Sequence, residues 1–345
     1  MKTMSKLQYD ADLTALNTFG LPARAAALYT LDSAERLPEI FQLPEYHRGH
    51  TLWLGGGSNI LLMKDYDGLV VRMANKGISA PEPANGGKMR ITAQAGENWH
   101  DFVQHTIALG LSGLENLSLI PGTVGAAPVQ NIGAYGVEAE SCIETVHAWD
   151  LDSGKPVSFS RADCRFAYRD SVFKQSGGRF VITAVTFVLD SEFKPKLHYG
   201  DVQAEAETLA QGSPLTAAIV AEAVCRIRRR KLPDPAETGS CGSFYKNPIV
   251  SAEQAAALKQ RHPALPVYPQ PGGQAKLAAG WLIDQCGLKG HREGHAAVHQ
   301  KQALVLINLG GASAQDVCRL SEHVQNSVFQ RFGVRLEPEP VWMEG

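Results

Sequence analysis

The feature that most limits how this chain can fold is residues 113–136, where small residues fill nearly every other position. The segment has the sequence GLENLSLIPGTVGAAPVQNIGAYG. Glycine and proline both interrupt helices and strands, so the composition predicts a long loop. Such a loop is uncommon in a compact domain without a functional reason. Because glycines let backbone N–H groups approach an anion closely, the two interpretations are a phosphate-binding loop and a plain buried loop.

A second glycine cluster, Gly55-Gly56-Gly57-Ser58-Asn59, follows a short apolar strand predicted at 51–54. A Rossmann fingerprint counted from Gly55 requires a glycine at position 60, where this chain has Ile60, and a helix after the loop. The chain continues instead into a predicted strand at 60–62. The sequence therefore excludes a Rossmann loop and leaves either a tight turn or a different phosphate-binding loop.

Length and composition restrict the class of protein. A chain of 345 residues predicts two or three domains. A net charge of −2 provides no overall field to hold nucleic acid or an anionic membrane. The first ten residues lack the apolar region of a signal peptide, and no apolar run is long enough to span a bilayer. With six dispersed cysteines and no C-x-x-C, we expect a cytoplasmic protein that binds neither nucleic acid nor membrane.

Strand and helix patterns mix along the chain, so the residues alone predict an α+β or α/β class, of which α+β is the one expected here. The predicted strands are 51–54, 60–62, 68–71, 89–95, 143–151 with 157–159 as a hairpin, 180–189 and 303–307. The predicted helices are 99–109, 216–230, 251–262 capped by Ser251, 276–286, and 313–332 between Ser313 and Gly333. Residues 81–88 are predicted as a loop or domain joint, and 334–343 as an extended tail.

Three histidines, His291, His295 and His299, are spaced four apart and would share one face of a helix, where they could bind zinc. Gly290 and Gly294 argue against a helix there, and the sequence offers no acidic or cysteine ligand at a suitable spacing. We therefore predict no metal site.

Several motifs, in a fixed order, make the chain resemble the type I UDP-N-acetylenolpyruvoylglucosamine reductase (MurB) family. That family has an FAD-binding domain of the vanillyl-alcohol oxidase and p-cresol methylhydroxylase (PCMH) type. The motifs are NTFG at 17–20, GSN at 57–59, IPG at 120–122, QNIGAYG at 130–136, YRDS at 168–171, YG at 199–200, KLP at 231–233, GSFYKNP at 242–248 and LEPE at 336–339.

The resemblance implies a two-subdomain FAD-binding fold, a C-terminal α+β substrate-binding domain and a single-chain (monomeric) enzyme. The implied domains are FAD-binding subdomain 1 at 1–77, FAD-binding subdomain 2 at 78–232, the substrate domain at 233–333, and a strand at 334–345 that returns to the active site.

The implied reaction has two halves. NADPH reduces the bound FAD and leaves, and UDP-N-acetylglucosamine-enolpyruvate is then reduced to UDP-N-acetylmuramate. A hydride reaches C3 of the enolpyruvyl ether, and the negative charge that develops at C2 is removed by a proton. Peptidoglycan precursor synthesis is the implied process.

Three residues match the catalytic positions of the family. Arg169 would hold the carboxylate and its delocalised charge with a planar fork, Ser243 would donate the proton, and Glu339 would assist at the carboxylate region. Without the resemblance, the same residues would be interpreted as a surface arginine, a turn serine and an ion-paired strand glutamate.

The resemblance also implies two sets of binding residues. The FAD-binding set is Gly55, Gly57, Ser58, Asn59, Ile120, Pro121, Gly122, Gly125, Ala126, Gln130, Asn131, Gly133, Tyr135 and Gly136. The substrate-binding set is Tyr199, Lys231, Asn247, Lys276 and Gln302. Lys231 also ends a run of cations at a helix C-terminus, where they complement the helix dipole.

The sequence departs from the family pattern at Gly56, at Gly239-Ser240-Cys241 and at His295, none of which carries the implied chemistry. Two other functions remain open. A flavin oxidase of the same fold would reduce oxygen and need no UDP, and a UDP-sugar-binding protein without cofactor would be colourless.

Overall fold

The computed structural model describes residues 7–344, which form two compact units. The first unit contains residues up to 11, 25–56 and 67–230, and the second contains 12–24, 57–66 and residues from 231 onward. The second unit is therefore assembled from three separate parts of the sequence. Helices and sheets occur in both units, which confirms the predicted α+β class.

The strands in residues 7–344 are, in chain order, β1 (Leu7–Asp12), β2 (Arg24–Leu31), β3 (Thr51–Leu54), β4 (Ile60–Leu62), β5 (Tyr66–Met73), β6 (Glu82–Ala84), β7 (Lys88–Gln94), β8 (Gly133–Ala134), β9 (Val137–Glu138), β10 (Ile143–Asp150), β11 (Lys155–Ser160), β12 (Phe180–Asp190), β13 (Gly239–Ser240), β14 (Ile249–Ser251), β15 (Val267–Gln270), β16 (Gln274–Leu277), β17 (Arg292–Glu293), β18 (Ala296–Val298), β19 (Leu306–Asn308) and β20 (Val341–Met343).

The α-helices are α1 (Leu37–Ile40), α2 (Trp99–Ala108), α3 (Val172–Gln175), α4 (Val202–Ala210), α5 (Ala217–Lys231), α6 (Ala252–Arg261), α7 (Ala279–Gln285) and α8 (Ala314–Phe332).

The first unit contains the two-stranded sheet β8-β9 and two larger sheets. One has the order β1-β2-β5-β3, with β3 and β5 parallel, and the other is the antiparallel sheet β11-β10-β12-β7-β6. The central strand β12 is rich in valine, isoleucine, threonine and phenylalanine, which suit a strand buried among neighbours. Both sheets and helix α2 share one hydrophobic core, which includes Val71, Trp99, Phe102 and Phe187.

The second unit packs helices on a small antiparallel sheet of order β13-β19-β18-β17. Helix α8 buries Val317, Leu320, Val324, Val328 and Phe332, which recur every three or four residues and therefore lie on one face. Its N-terminus has a capping box of Ser313 and Asp316, and Gly333 ends it in the left-handed region with φ 66°. Near the chain's end, β20 pairs in parallel with β4.

Most predicted elements are confirmed, and the errors are local. Lys276 lies in strand β16, and helix α7 begins only at Ala279, so the predicted start of the 276–286 helix is wrong. Part of the predicted 81–88 loop forms strand β6. In the predicted 303–307 strand, ladder pairing begins only at Leu306. No helix in the described part of the chain is long and apolar enough to cross a membrane.

Candidate active site

The two glycine segments of the sequence approach each other in the first unit. A Cβ added to Gly56 would lie 2.9 Å from Cα of Gly122, and one added to Gly55 would lie 2.8 Å from Oγ1 of Thr123. Gly56 meets backbone that cannot move aside cheaply, so its position favours glycine, whereas at Gly55 the Thr123 side chain would have to shift. The structure therefore brings the predicted cofactor residues at 55 and 122 to one place.

Three non-glycine residues within the glycine-rich segment 113–136 hold left-handed backbone conformations. They are Leu119, Asn131 and Tyr135, with φ of 60°, 45° and 48°. Such conformations cost energy for residues with a Cβ and cluster at binding sites, where the surrounding structure holds them. Backbone from Ile120 to Thr123 is half-buried, so its polar groups are within reach of a ligand.

Leu119 is held from both sides by side chains of two helices. Its N–H donates to Nδ1 of His100 on α2 at 3.0 Å, and its carbonyl accepts from Nε of Arg228 on α5 at 3.1 Å. Arg228 also hydrogen-bonds the Tyr135 hydroxyl. One guanidinium thus links Leu119 and Tyr135, which lie 16 residues apart in the 113–136 segment.

Arg228 and His100 are absent from the predicted site. The sequence predicts Arg228 only as one of the cations at the C-terminus of helix α5. It nevertheless follows Val220 and Val224 at intervals of four residues. That spacing places it on the buried face of α5, which is a signal that the sequence contained.

Asn131 fixes the loop from inside. It is fully buried, its Nδ2 donates to Oε2 of Glu138 at 3.0 Å and to the Ala167 carbonyl at 3.3 Å, and its Oδ1 accepts from Glu140 N. Its amide is thus engaged in protein contacts, which gives it a structural role besides the predicted cofactor contact.

Arg169 lies beside the same loop. Its backbone is left-handed with φ 56°, its Nη2 donates to the Gly133 carbonyl at 3.0 Å, and Lys174 Nζ donates to its carbonyl at 3.0 Å. Its guanidinium also lies over the Tyr168 ring at 5.2 Å. The structure therefore brings the predicted catalytic arginine next to Gly133 of the predicted cofactor set.

Ser243 and Glu339 come together in the second unit. The Glu339 N–H donates to the carbonyl of Phe244, the residue after Ser243, at 2.8 Å. Glu339 is 8% exposed, whereas Ser243 is exposed. Burial raises the pKa of the Cys241 thiol well above its ordinary value, and the charge of the Glu339 carboxyl raises it further. The Glu339 carboxyl therefore lies near Cys241.

Asn59, in the glycine cluster at 55–59, is hydrogen-bonded to Glu339 and Val341. Its Nδ2 donates to the Glu339 carbonyl at 3.3 Å, and its carbonyl accepts from Val341 N at 2.9 Å. Gly57, with φ 63°, leaves no room for a Cβ beside the Leu16 carbonyl. Ser58, between these two residues, is half-buried.

Two predicted substrate residues meet at the start of α7. Asn247 Oδ1 accepts from Ala279 N at 2.9 Å, and Gln302 Oε1 lies 3.4 Å from the Cβ position of Gly280. Lys276 lies opposite Ile249 in the β14–β16 ladder. Lys231 is the last residue of α5.

Tyr199 belongs to the first unit, and its ring contacts that of Tyr135 edge-on at 6.3 Å. It is 49% exposed, so a ligand can reach it. Among the remaining predicted cofactor residues, Pro121, Gly125, Ala126, Gln130 and Gly136 line the half-buried or exposed side of the same loop.

The histidines spaced four apart do not share a helix face. Residues 292–298 form the β17–β18 hairpin, so the prediction from Gly290 and Gly294 that this stretch is not a helix is confirmed. The expectation that no acidic ligand lies near is wrong, because Glu293 follows His291 by two strand positions and helix α8 adds His323.

Two family models match the chain. Residues 25–160 match the FAD binding domain, and residues 234–343 match the C-terminal domain of UDP-N-acetylenolpyruvoylglucosamine reductase. The second range contains Ser243 and Glu339, and the first contains Gly55 and residues 120–136.

Similar proteins of known sequence and structure cover nearly the whole chain. The UDP-N-acetylenolpyruvoylglucosamine reductase of Neisseria gonorrhoeae is 60% identical over 341 residues, which is 99% of this chain and 98% of that protein. The reductase of Chromobacterium violaceum is 54% identical over 96% of this chain and 97% of that protein. The crystal structure of the reductase from Thermus caldophilus is 26% identical, covers 98% of both chains and has a TM-score of 0.65.

Proposed function

Because this chain belongs to the UDP-N-acetylenolpyruvoylglucosamine reductase family, whose members are oxidoreductases with an FAD-binding domain, we propose that it reduces UDP-N-acetylglucosamine-enolpyruvate to UDP-N-acetylmuramate with NADPH. The observation that carries the proposal is 60% identity to the gonococcal reductase over 99% of the chain. The reaction would serve peptidoglycan precursor synthesis, in the cytoplasm and in a monomer.

The residues of the first unit fit an FAD. Gly55, Gly56 and Gly122 have no side chains to cover their backbone, and a pyrophosphate requires such uncovered N–H groups. The half-buried backbone of residues 120–122 and the fixed turns at Asn131 and Tyr135 would hold the dinucleotide. When bound, FAD supplies a two-electron carrier that accepts hydride from NADPH and passes it to the enolpyruvyl double bond.

Arg169 is proposed to hold the substrate carboxylate. Its hydrogen bond to Gly133 and its stacking on Tyr168 fix the guanidinium, and a fixed cation stabilises negative charge better than a mobile one. The charge that develops at C2 is delocalised into this carboxylate.

Ser243 is proposed to donate the proton to C2, with Glu339 near the carboxylate. Ser243 is exposed, and the Glu339 backbone is anchored to the carbonyl of Phe244, the residue after Ser243, so the two residues lie on neighbouring backbone within the second unit. A hydroxyl is a weak acid, and this step depends on the high basicity of the carbanion.

The remaining residues are proposed to bind the sugar nucleotide. Lys231 and Lys276 supply positive charge for the diphosphate, while Asn247, Gln302 and Tyr199 supply hydrogen bonds. The backbone bond between Asn247 Oδ1 and α7 fixes the direction of that amide.

The decisive experiment is an absorbance spectrum of the purified protein. We expect a yellow protein whose flavin bands are bleached by NADPH without oxygen and return when UDP-N-acetylglucosamine-enolpyruvate is added. A colourless protein that cannot be loaded with FAD would contradict the proposal. Recovery by oxygen alone, with no response to the sugar nucleotide, would favour a flavin oxidase instead.

Ser243→Ala tests the proton donor. We expect flavin reduction by NADPH to stay near wild type, while the second half-reaction slows by about 100-fold or more, the range for general acid catalysis. Stopped-flow absorbance measures each half-reaction separately. Ser327→Ala on α8 is the control. Equal slowing of both half-reactions would remove Ser243 from this role.

A further inference from the structure

Three side chains that can bind a metal meet on the surface of the second unit, apart from the residues assigned above. They are His291, which precedes β17, Glu293 on β17 and His323 on α8, and their ligand atoms lie within 4.8 Å of one another. His291 Nε2 lies 3.1 Å from Oε1 of Glu293. The rings of His291 and His323 are stacked, with centroids 4.2 Å apart and planes 10° apart.

The backbone under each of these side chains is fixed. The His291 N–H donates to Leu288 O at 3.0 Å, and its carbonyl accepts from Val298 N at 2.9 Å. Glu293 is paired with Ala296 in the β17–β18 hairpin, and His323 lies in the middle of α8. Ligands carried by regular elements are better preorganised than ligands on loops.

Two of the cations near the cluster in sequence are paired with carboxylates. Arg319, one helical turn before His323, has its guanidinium against the carboxylate of Asp316. Lys289 has its ammonium 2.9 Å from Asp284. Both cations therefore have carboxylate partners of their own, and Glu293 contributes negative charge to the cluster.

We propose that His291, Glu293 and His323 form a binding site for a divalent transition metal ion such as zinc. Two imidazoles and one carboxylate are ligands that zinc accepts at about 2.0–2.2 Å, which puts tetrahedral ligand atoms about 3.4 Å apart. His291 Nε2 and Glu293 Oε1 lie 3.1 Å apart, so this pair must open by about 0.3 Å to hold the ion. Water would complete the shell.

One ring must turn when the metal binds, because a metal lies in the plane of each imidazole that ligates it and stacked rings do not share a plane. His323 is the exposed member and can rotate from its helix. The bound ion would link the β17–β18 hairpin to α8, and its contribution would be to stability rather than to the reduction reaction.

The test uses the full chain, untagged and stripped with chelator, with Zn²⁺ and Co²⁺ as probes. We expect one equivalent of Zn²⁺ to bind the wild type in a competition assay with a chromophoric chelator and to raise the melting temperature. His291→Gln, Glu293→Gln and His323→Gln should each weaken binding by at least about tenfold. His295→Gln, a nearby exposed histidine outside the cluster, is the matched control and should bind like wild type.

Co²⁺ separates nitrogen from sulfur ligation, since Cys318 also lies on α8. We expect weak d–d bands without a sulfur-to-cobalt charge-transfer band. Three results would overturn the proposal. One is a sulfur-to-cobalt charge-transfer band, and another is equal Zn²⁺ affinity in all four variants. The third is Zn²⁺ binding by the wild type that is no tighter than binding by His323→Gln. Normal far-ultraviolet circular dichroism of each variant shows that the loss is not caused by unfolding.

Discussion

At the scale of single residues, the candidate site consists of strained backbone that neighbouring side chains hold in place. Asn131, Tyr135 and Arg169 have φ of 45°, 48° and 56°, each of which costs about 1–2 kcal/mol for a residue with a Cβ. Asn131 donates to the Glu138 carboxylate, Arg169 donates to the Gly133 carbonyl, and Tyr135 is hydrogen-bonded by Arg228. Strain held in this way gives the loop one shape before any ligand arrives.

The contact between the glycine segments predicts a specific effect of Gly56→Ala. The added Cβ would lie 2.9 Å from Cα of Gly122, so the two segments must separate. We expect a loss of about 1–3 kcal/mol in the free energy of unfolding, the cost of overpacking, together with weaker FAD retention. Gly49→Ala, which meets no atom within 4 Å, is the control. Urea unfolding and the flavin-to-protein absorbance ratio measure both effects, and unchanged values would contradict the tight contact.

His100 predicts a pH dependence of stability. Burial lowers the pKa of His100 from its ordinary value of 6.5. Asp101 opposes this shift, while Arg229 and Arg228 add to it. In its neutral form, the Nδ1 of His100 accepts a hydrogen bond from Leu119 N. The unfolded chain then binds the proton more readily than the folded one. The free energy of unfolding should therefore fall as the pH drops from 6.5 toward the lower pKa of the folded state.

The measurement is urea unfolding at about pH 8 and about pH 5.5, where the two protonation states differ. His147, whose pKa burial also lowers, contributes in the same direction. The test therefore compares wild type with His100→Gln. The free energy of unfolding of the variant should depend less on pH. The exposed His47→Gln should retain it. Identical slopes in all three proteins would argue against the Leu119 contact.

At the scale of elements, helix ends are predictable from the sequence because capping is a local interaction. Ser251 and Ser313 are predicted as caps, and the structure has Ser251 Oγ accepting from Gln254 N and Ser313 Oγ accepting from Asp316 N. Lys276 shows the limit, because its strand pairs with β14 and β15, and that pairing has no local signature.

The α8 cap carries a prediction of its own. Ser313→Ala removes the acceptor for Asp316 N, and we expect the free energy of unfolding to fall by about 1 kcal/mol. Ser313→Thr, which keeps a hydroxyl, should retain most of the stability. Chemical denaturation followed by circular dichroism gives the comparison. If alanine and threonine behave alike, the Asp316 side chain and not the hydroxyl holds the helix start.

At the scale of the whole molecule, the sequence predicts the α+β fold class but not the division into compact units, and it leaves Arg228 and His100 out of the candidate site. Residues 57–66 follow a predicted strand in the first unit, yet pack with the C-terminal part of the chain. The pairing of β4 with β20 joins positions far apart in sequence, and no local pattern reports it. The assignment of functions to the proposed domains 1–77, 78–232, 233–333 and 334–345 stays a prediction.

The six cysteines give a prediction for the intact molecule. All are free thiols, four are buried, and only Cys286 and Cys318 are half-buried. Burial raises the pKa of both these thiols, so we expect slow labelling of about two thiols in the folded protein and of six after denaturation. Mass spectrometry after maleimide treatment counts them. In Cys286→Ala/Cys318→Ala, labelling of the folded state should disappear, and fast labelling of four or more thiols would contradict the packing.

The parallel pairing of β4 with β20 has a consequence for synthesis. A ribosome makes the chain from its N-terminus, so Ile60 leaves the exit tunnel about 280 residues before its partner Val341. At about 5–20 residues per second, that interval lasts roughly 15–55 s. During this time strand β20 does not yet exist, so this two-stranded sheet can form only after synthesis has passed residue 341.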